Sequence, residues 1–169
     1  IEAALRQGHI APGLHRHFTL EDFCFFPEEK GKLIKESVLK ACEPNRINQL
    51  YGSDINPEAI ELATRHLRQA GLTGHISFSV LPLQEIKLQS EKGVFICNPP
   101  YGERLGDKQS CHILYNDLHQ MQKRHPGWSL CAVSSDPEFE KAYGRRADKK
   151  RRLYNGRLEC QLYIFSAQY

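Results

Sequence analysis

Apolar residues recur at two spacings in this chain, and stretches of each kind alternate along it. Four stretches follow the helical period. Ile1-Glu2-Ala3-Ala4-Leu5-Arg6 reads as a helix that Gly8 ends. From about Glu28 to Cys42, Leu33, Ile34, Val38, Ala41 and Cys42 fall on one helical face, with lysines on the other. Asn56 as N-cap and Pro57 at the first helical position open a third helix, whose apolar positions are Ile60, Ala63, Leu67 and Ala70 and whose stop is Gly71. Ile113, Leu114, Leu118 and Met121 mark a fourth between Ser110 and Lys123.

Short apolar runs bounded by turn residues supply the strands: Leu50–Asp54, Ile76–Val80, Val94–Cys97 and Trp128–Val133. Pro82-Leu83-Gln84-Glu85 and the polar stretch to Lys92 read as loop or a short helix. Strand and helix alternate, which predicts an α/β fold with a mostly parallel sheet. The end of the chain differs: Lys149–Tyr154 and Leu158–Phe165 are strand-like runs joined at Asn155-Gly156, a pair favoured in tight hairpins, so an antiparallel hairpin is expected at one edge. Val94–Cys97, a continuous apolar run, is expected to be a buried strand near the sheet centre. Open α/β sheets bind ligands beyond the carboxyl ends of such strands, which directs attention to Asn98.

Composition narrows the classes. A chain of 169 residues is large enough for one core, and the expectation is a single domain over 1–169. No apolar run approaches the roughly 18 residues of a membrane span, and no charged-then-apolar leader opens the sequence, so no membrane partner and a cytoplasmic location are expected. The six cysteines (Cys24, Cys42, Cys97, Cys111, Cys131, Cys160) include no C-x-x-C pair and read as reduced, mostly buried thiols. No metal site is expected, and His15-x-His17 reads as surface. A formal charge of +3 permits a nucleic-acid partner without arguing for one.

Three groups of residues carry candidate chemistry. Asp54, at a strand tip before a capped helix, is placed to accept hydrogen bonds from the two hydroxyls of a nucleoside ribose, with a solvated aspartate at a strand end as the alternative; no glycine-rich loop precedes it in the chain. Asn98-Pro99-Pro100-Tyr101 is more specific, with a chance match on the order of 10⁻⁵ per position. The Asn98 side-chain oxygen and a carbonyl held by the rigid Pro-Pro backbone can both accept from one exocyclic NH₂, and Tyr101 can stack on the planar group bearing it. A strand-ending turn with a core-packed Tyr101 is the alternative. The run Arg145–Arg152 holds six positive charges, near Tyr143, Tyr154 and Arg157. Lys149, Lys150, Arg151 and Arg152 make either a solvated edge-protecting face or a phosphate-contacting patch.

Asn98-Pro99-Pro100-Tyr101-Gly102-Glu103-Arg104-Leu105 resembles a motif of the S-adenosylmethionine-dependent RNA guanine-N2 methyltransferases, of the RlmL and YpsC type. The resemblance extends to Ile1-Glu2-Ala3-Ala4, Ala11-Pro12-Gly13-Leu14, Ser53-Asp54-Ile55-Asn56-Pro57, Ser134-Ser135 and Leu153-Tyr154-Asn155-Gly156. It implies a Rossmann-like class I methyltransferase, with Asp54, Ile55, Pro82 and Asn98 at the cofactor and Asn98, Pro99, Pro100 and Tyr101 gripping the target amine. Tyr101, Glu103, Arg104 and the Lys149–Arg152 run would meet RNA, as a single-stranded or flipped-out guanosine of large-subunit rRNA. Other acceptors in tRNA, DNA or a glutamine side chain remain open at this point, as does an inactive RNA-binding fragment. In the family, a first strand, a glycine-rich loop and a THUMP domain lie upstream of the segment matching residue 1, so the chain is expected to be part of a longer catalytic protein. The acidic residue that often follows the family's third strand is replaced near Val80–Leu83, where Gln84 or Glu85 is the substitute to consider.

Overall fold

The computed structural model describes residues 1–14, 16–88, 90–100 and 108–168. They form two units, Ile1–Pro82 and Leu83–Tyr169.

The first unit contains helix α1 (Glu2–Gln7), α2 (Glu28–Lys40), strand β1 (Leu50–Asp54), α3 (Pro57–Gln69) and β2 (Ile76–Val80). Strands β1 and β2 run parallel, Leu50 opposite Ile76 and Asp54 opposite Val80. Helix α3 starts and stops where its sequence dictates. The Asn56 side chain accepts the Glu58 N–H at 2.9 Å, and Gly71 takes a positive φ of 69°. This left-handed residue lets Leu72 N–H reach back to the Leu67 carbonyl (3.1 Å), a helix-ending motif that also buries Leu72 against Leu67. Ala4, Leu67 and Leu72 are the centre of a small core that Leu50, Ile76 and Phe78 join from the strands. Gly52 has a packing reason, because a Cβ there would stand 2.7 Å from the Phe78 ring on the neighbouring strand. Helix α2 departs from expectation. It buries no residue, and Leu33 and Ile34 are 64% and 63% exposed.

The second unit contains β3 (Gly93–Cys97), α4 (Lys108–Arg124), β4 (Trp128–Ser134), α5 (Phe139–Tyr143), β5 (Lys149–Asn155) and β6 (Leu158–Phe165). The sheet order is β3-β4-β6-β5, with β3 and β4 parallel and β6 antiparallel to both neighbours. The parallel strands and the terminal hairpin are those the pattern predicts, but the described ladders fall into two sheets instead of one. Helix α5 had no pattern long enough to announce it.

The pleat sorts side chains by face. Phe95, Leu130, Ala132, Tyr163 and Phe165 meet Cys111, Tyr115, Leu118 and Met121 of α4 and Phe139 and Tyr143 of α5. This core is rich in aromatic contacts, with ring centroids 4.0 Å apart for Tyr143–Phe165 and 4.6 Å for Phe139–Tyr163. Buried Gln122 is fully used within it: its amide donates to the carbonyls of Trp128 and Phe165, and its oxygen accepts from the Tyr143 hydroxyl. The opposite face carries Val94 and Ile96, 55% and 77% exposed. Among the described residues Val94–Cys97 is thus not covered on both faces: it is the edge of the four-stranded sheet, with Phe95 and Cys97 turned to the core and Val94 and Ile96 turned away.

Candidate functional site

In the first unit, the residues read as cofactor contacts gather at one end of the parallel pair. Asp54 is the last residue of β1, and its backbone carbonyl accepts the Leu81 N–H at 3.0 Å, so the segment leading to Pro82 is tied to it. Its carboxylate Oδ1 accepts the Asn56 N–H at 2.8 Å, which fixes the side chain at the entry to α3. Oδ2 has no partner among the described residues and is exposed. Ile55 beside it is 73% exposed, an apolar plate next to a free carboxylate oxygen. A carboxylate that accepts from a diol, flanked by an apolar surface for a flat ring, is the pairing a nucleoside needs. Asp54, Ile55 and Pro82 are brought together; Asn98 belongs to the second unit.

In the second unit, β3 delivers Asn98 to the carboxyl end of the sheet. Asn98 is exposed, Pro99 is buried and Pro100 is half-buried. The hydroxyl of Tyr115, a fully buried α4 residue, donates to the Pro100 carbonyl at 2.8 Å. Burial pushes the Tyr115 phenol up to about 12, against the lowering effect of a hydrogen bond with the Ser134 side chain. It is thus a donor throughout the working pH range. Ser134, the last residue of β4, also accepts the Asp136 N–H at 3.1 Å. Asp136 is buried, accepting the Glu138 N–H through Oδ1 (2.8 Å) and meeting His112 Nε2 through Oδ2 (3.3 Å). Two strand ends and α4 are therefore laced together directly behind the Pro-Pro segment. Tyr101, Glu103 and Arg104 lie outside the described residues.

A cavity of about 340 Å³ opens beside Asn98, with Val133, Cys160 and the hairpin residues Leu153–Asn155 as its other walls. The basic run divides by face. Lys150 pairs with Glu140 at 2.8 Å and Arg152 with Glu159 at 3.2 Å. Lys149 and Arg151, on the alternate face of β5, are exposed and make no ion pair among the described residues. Gln84 donates to Asp117 of α4 at 2.7 Å, which turns its amide toward that helix.

The model of the family UPF0020, described as RMKL-like methyltransferase domain, matches residues 1–164. The chain belongs to this family. The RMKL-like domain has relatives along nearly its whole length. It is 37% identical over 168 residues to the ribosomal RNA large subunit methyltransferase K/L of Legionella pneumophila, covering 98% of this chain and 24% of that protein. With YpsC of Bacillus subtilis, whose name assigns it provisionally as an RNA methyltransferase, it shares 34% over 165 residues, or 98% of this chain and 43% of that protein. The crystal structure of SMU.472, provisionally titled a methyltransferase and complexed with SAH, superimposes with a TM-score of 0.94 at 34% identity, covering 99% of this chain and 45% of that one. The RMKL-like domain thus has the Rossmann-like class I methyltransferase fold, and the chain spans less than half the length of these relatives. Among its described residues no helix is long and apolar enough to cross a membrane.

Sequence reasoning missed Tyr115, Asp136 and His112 as parts of this site. Tyr115 had one legible signal: it shares the buried stripe of α4 with Cys111 and Leu118, and a buried phenol needs a hydrogen-bond partner. Replacing Tyr115 with Phe removes the hydroxyl and with it both the bond to the Pro100 carbonyl and the bond with the Ser134 side chain. Tyr115→Phe is expected to lower the free energy of unfolding by about 1–3 kcal/mol, as read by denaturant melts.

Proposed function

We propose that the protein transfers a methyl group from S-adenosylmethionine to the exocyclic N2 amine of a guanosine in large-subunit rRNA. The observation that carries this reading is the Asn98-Pro99-Pro100 segment, exposed at its amide and anchored from behind by Tyr115. With the Pro100 carbonyl engaged by Tyr115, the carbonyl left for substrate is that of Pro99. Asn98 Oδ1 and the Pro99 carbonyl each accept one N–H of the target amine, which aligns the nitrogen lone pair. Asp54 would hold the cofactor ribose through its free oxygen, and Ile55 and Pro82 would flank the adenine. When bound, the cofactor supplies an electrophilic methyl whose transfer breaks its C–S bond, forms an N–C bond and leaves a neutral thioether, the amine proton passing to solvent. This work rests on alignment, and the residues offer a fixed grip rather than a shifted acid or base.

RNA as the substrate class is supported by the names of the K/L and YpsC relatives, which are those of an rRNA and an RNA methyltransferase. Lys149 and Arg151, unpaired on one face of β5, suit phosphate contacts better than Lys150 and Arg152, which acidic partners neutralise.

The test is methylation of unmodified 23S rRNA by the full-length protein with labelled cofactor, followed by nucleoside analysis. N2-methylguanosine is expected, and Asn98→Ala should abolish it while binding of S-adenosylhomocysteine by calorimetry is retained. A methylated adenine, methylation of DNA alone, or full activity in the variant would overturn the reading. For the basic strand, removing both charges with Lys149→Ala and Arg151→Ala should reduce the slope of log affinity against log salt by about one to two. An unaltered slope would make the pair a solvated face.

A further inference from the structure

The hairpin does not turn where its Asn-Gly pair suggests. Asn155 remains in strand β5, paired with Leu158, and the two-residue loop is Gly156-Arg157. Gly156 has φ 64° and Arg157 has no positive φ, which places glycine at the first central position, as in a type II′ turn. Asn155 is thereby freed from the turn. It ends the strand on the face of Leu153, which pairs with Cys160, and Leu153 and Asn155 line the same hollow as Asn98.

Asn is a poor strand residue, and here its amide has no hydrogen-bond partner among the described residues. An exposed, unpartnered amide and a 40% exposed Leu153 stand at the carboxyl end of the sheet and share a hollow with Asn98. Val133 and Cys160 add apolar lining. A volume of 340 Å³ lies within the roughly 300–1,000 Å³ of small-molecule pockets. Apolar lining with two amide side chains suits a planar heterocycle that carries several polar atoms along one edge.

We infer that this cavity receives the acceptor base and that Asn155 reads its edge, with Leu153 against the base plane. The inference rests on the amine-transfer reading and adds the element that selects the base. With the 2-amino group held at Asn98, the neighbouring positions of guanine present an N1–H donor and an O6 acceptor. The Asn155 amide complements both, its oxygen accepting from N1–H and its NH₂ donating to O6. 2-Aminopurine keeps the reacting amine but has neither O6 nor N1–H, so it isolates the contact assigned to Asn155.

The experiment uses the full-length protein and two RNA oligonucleotides spanning the methylated site, one with guanosine and one with 2-aminopurine riboside at the target. The unaltered enzyme should favour guanosine by about tenfold to a hundredfold in kcat/KM, the discrimination of a good bidentate contact. Asn155→Ala should lose most of that preference, through a slower guanosine reaction and a nearly unchanged 2-aminopurine reaction. Leu153→Ala should raise KM for both RNAs alike, with binding of S-adenosylhomocysteine unaffected in either variant. A guanosine preference that survives in Asn155→Ala, or an equal loss on both RNAs, would overturn the assignment of Asn155. If the unaltered enzyme methylates neither oligonucleotide, the amine-transfer reading itself falls and the pocket assignment with it.

Discussion

The hydrogen bond from the buried Tyr115 hydroxyl to the Pro100 carbonyl joins the core of the second unit to the Asn98-Pro99-Pro100 segment. Tyr115 sits in the aromatic cluster with Phe139 4.6 Å from its ring, so it is held by packing on one side and by Ser134 on another. A donor positioned this firmly gives a two-proline segment a fixed height above the sheet. The prolines restrict φ, the phenol restrains the carbonyl, and Asn98 is left projecting from a backbone with little freedom to lose on binding.

The same economy of means governs the rest of the site. The pleat of β3 commits Phe95 and Cys97 to the core, and the residue that follows Cys97 is Asn98, the asparagine of the proposed grip. In the first unit, Asp54 divides its carboxylate between the start of α3 and a free oxygen, so the helix cap and the candidate ribose contact are set by one side chain. In the hairpin, one glycine conformation decides whether Asn155 belongs to a turn or to a pocket. Each functional group is placed by a structural feature one or two residues away.

Much of this was legible in the sequence, for reasons that can be named. The α3 caps, the parallel strands and the family motif around Asn98 are local patterns in which neighbours specify the outcome. What escaped depended on partners distant in sequence. Nothing near Tyr115 says that its hydroxyl ends at Pro100, 15 residues earlier. The apolar run Val94–Cys97 suggested burial on both faces, yet only tertiary packing tells which face is covered, and Ile96 is exposed. Asn-Gly is a strong turn pair, but the ladder between β5 and β6 sets the register through seven paired residues and moves the turn on by one. The apolar face of α2 is a legible pattern, yet none of its residues is buried among the described residues.

The proposed grip of Asn98 and the Pro99 carbonyl on an exocyclic guanine amine would be visible in a crystal structure of the full-length protein with S-adenosylhomocysteine and a guanosine-bearing RNA. The base N2 is expected at about 3 Å from both Asn98 Oδ1 and the Pro99 carbonyl oxygen, with Tyr115 still bonded to Pro100. A base bound with its N2 directed away from both oxygens, or with a different amine between them, would contradict it.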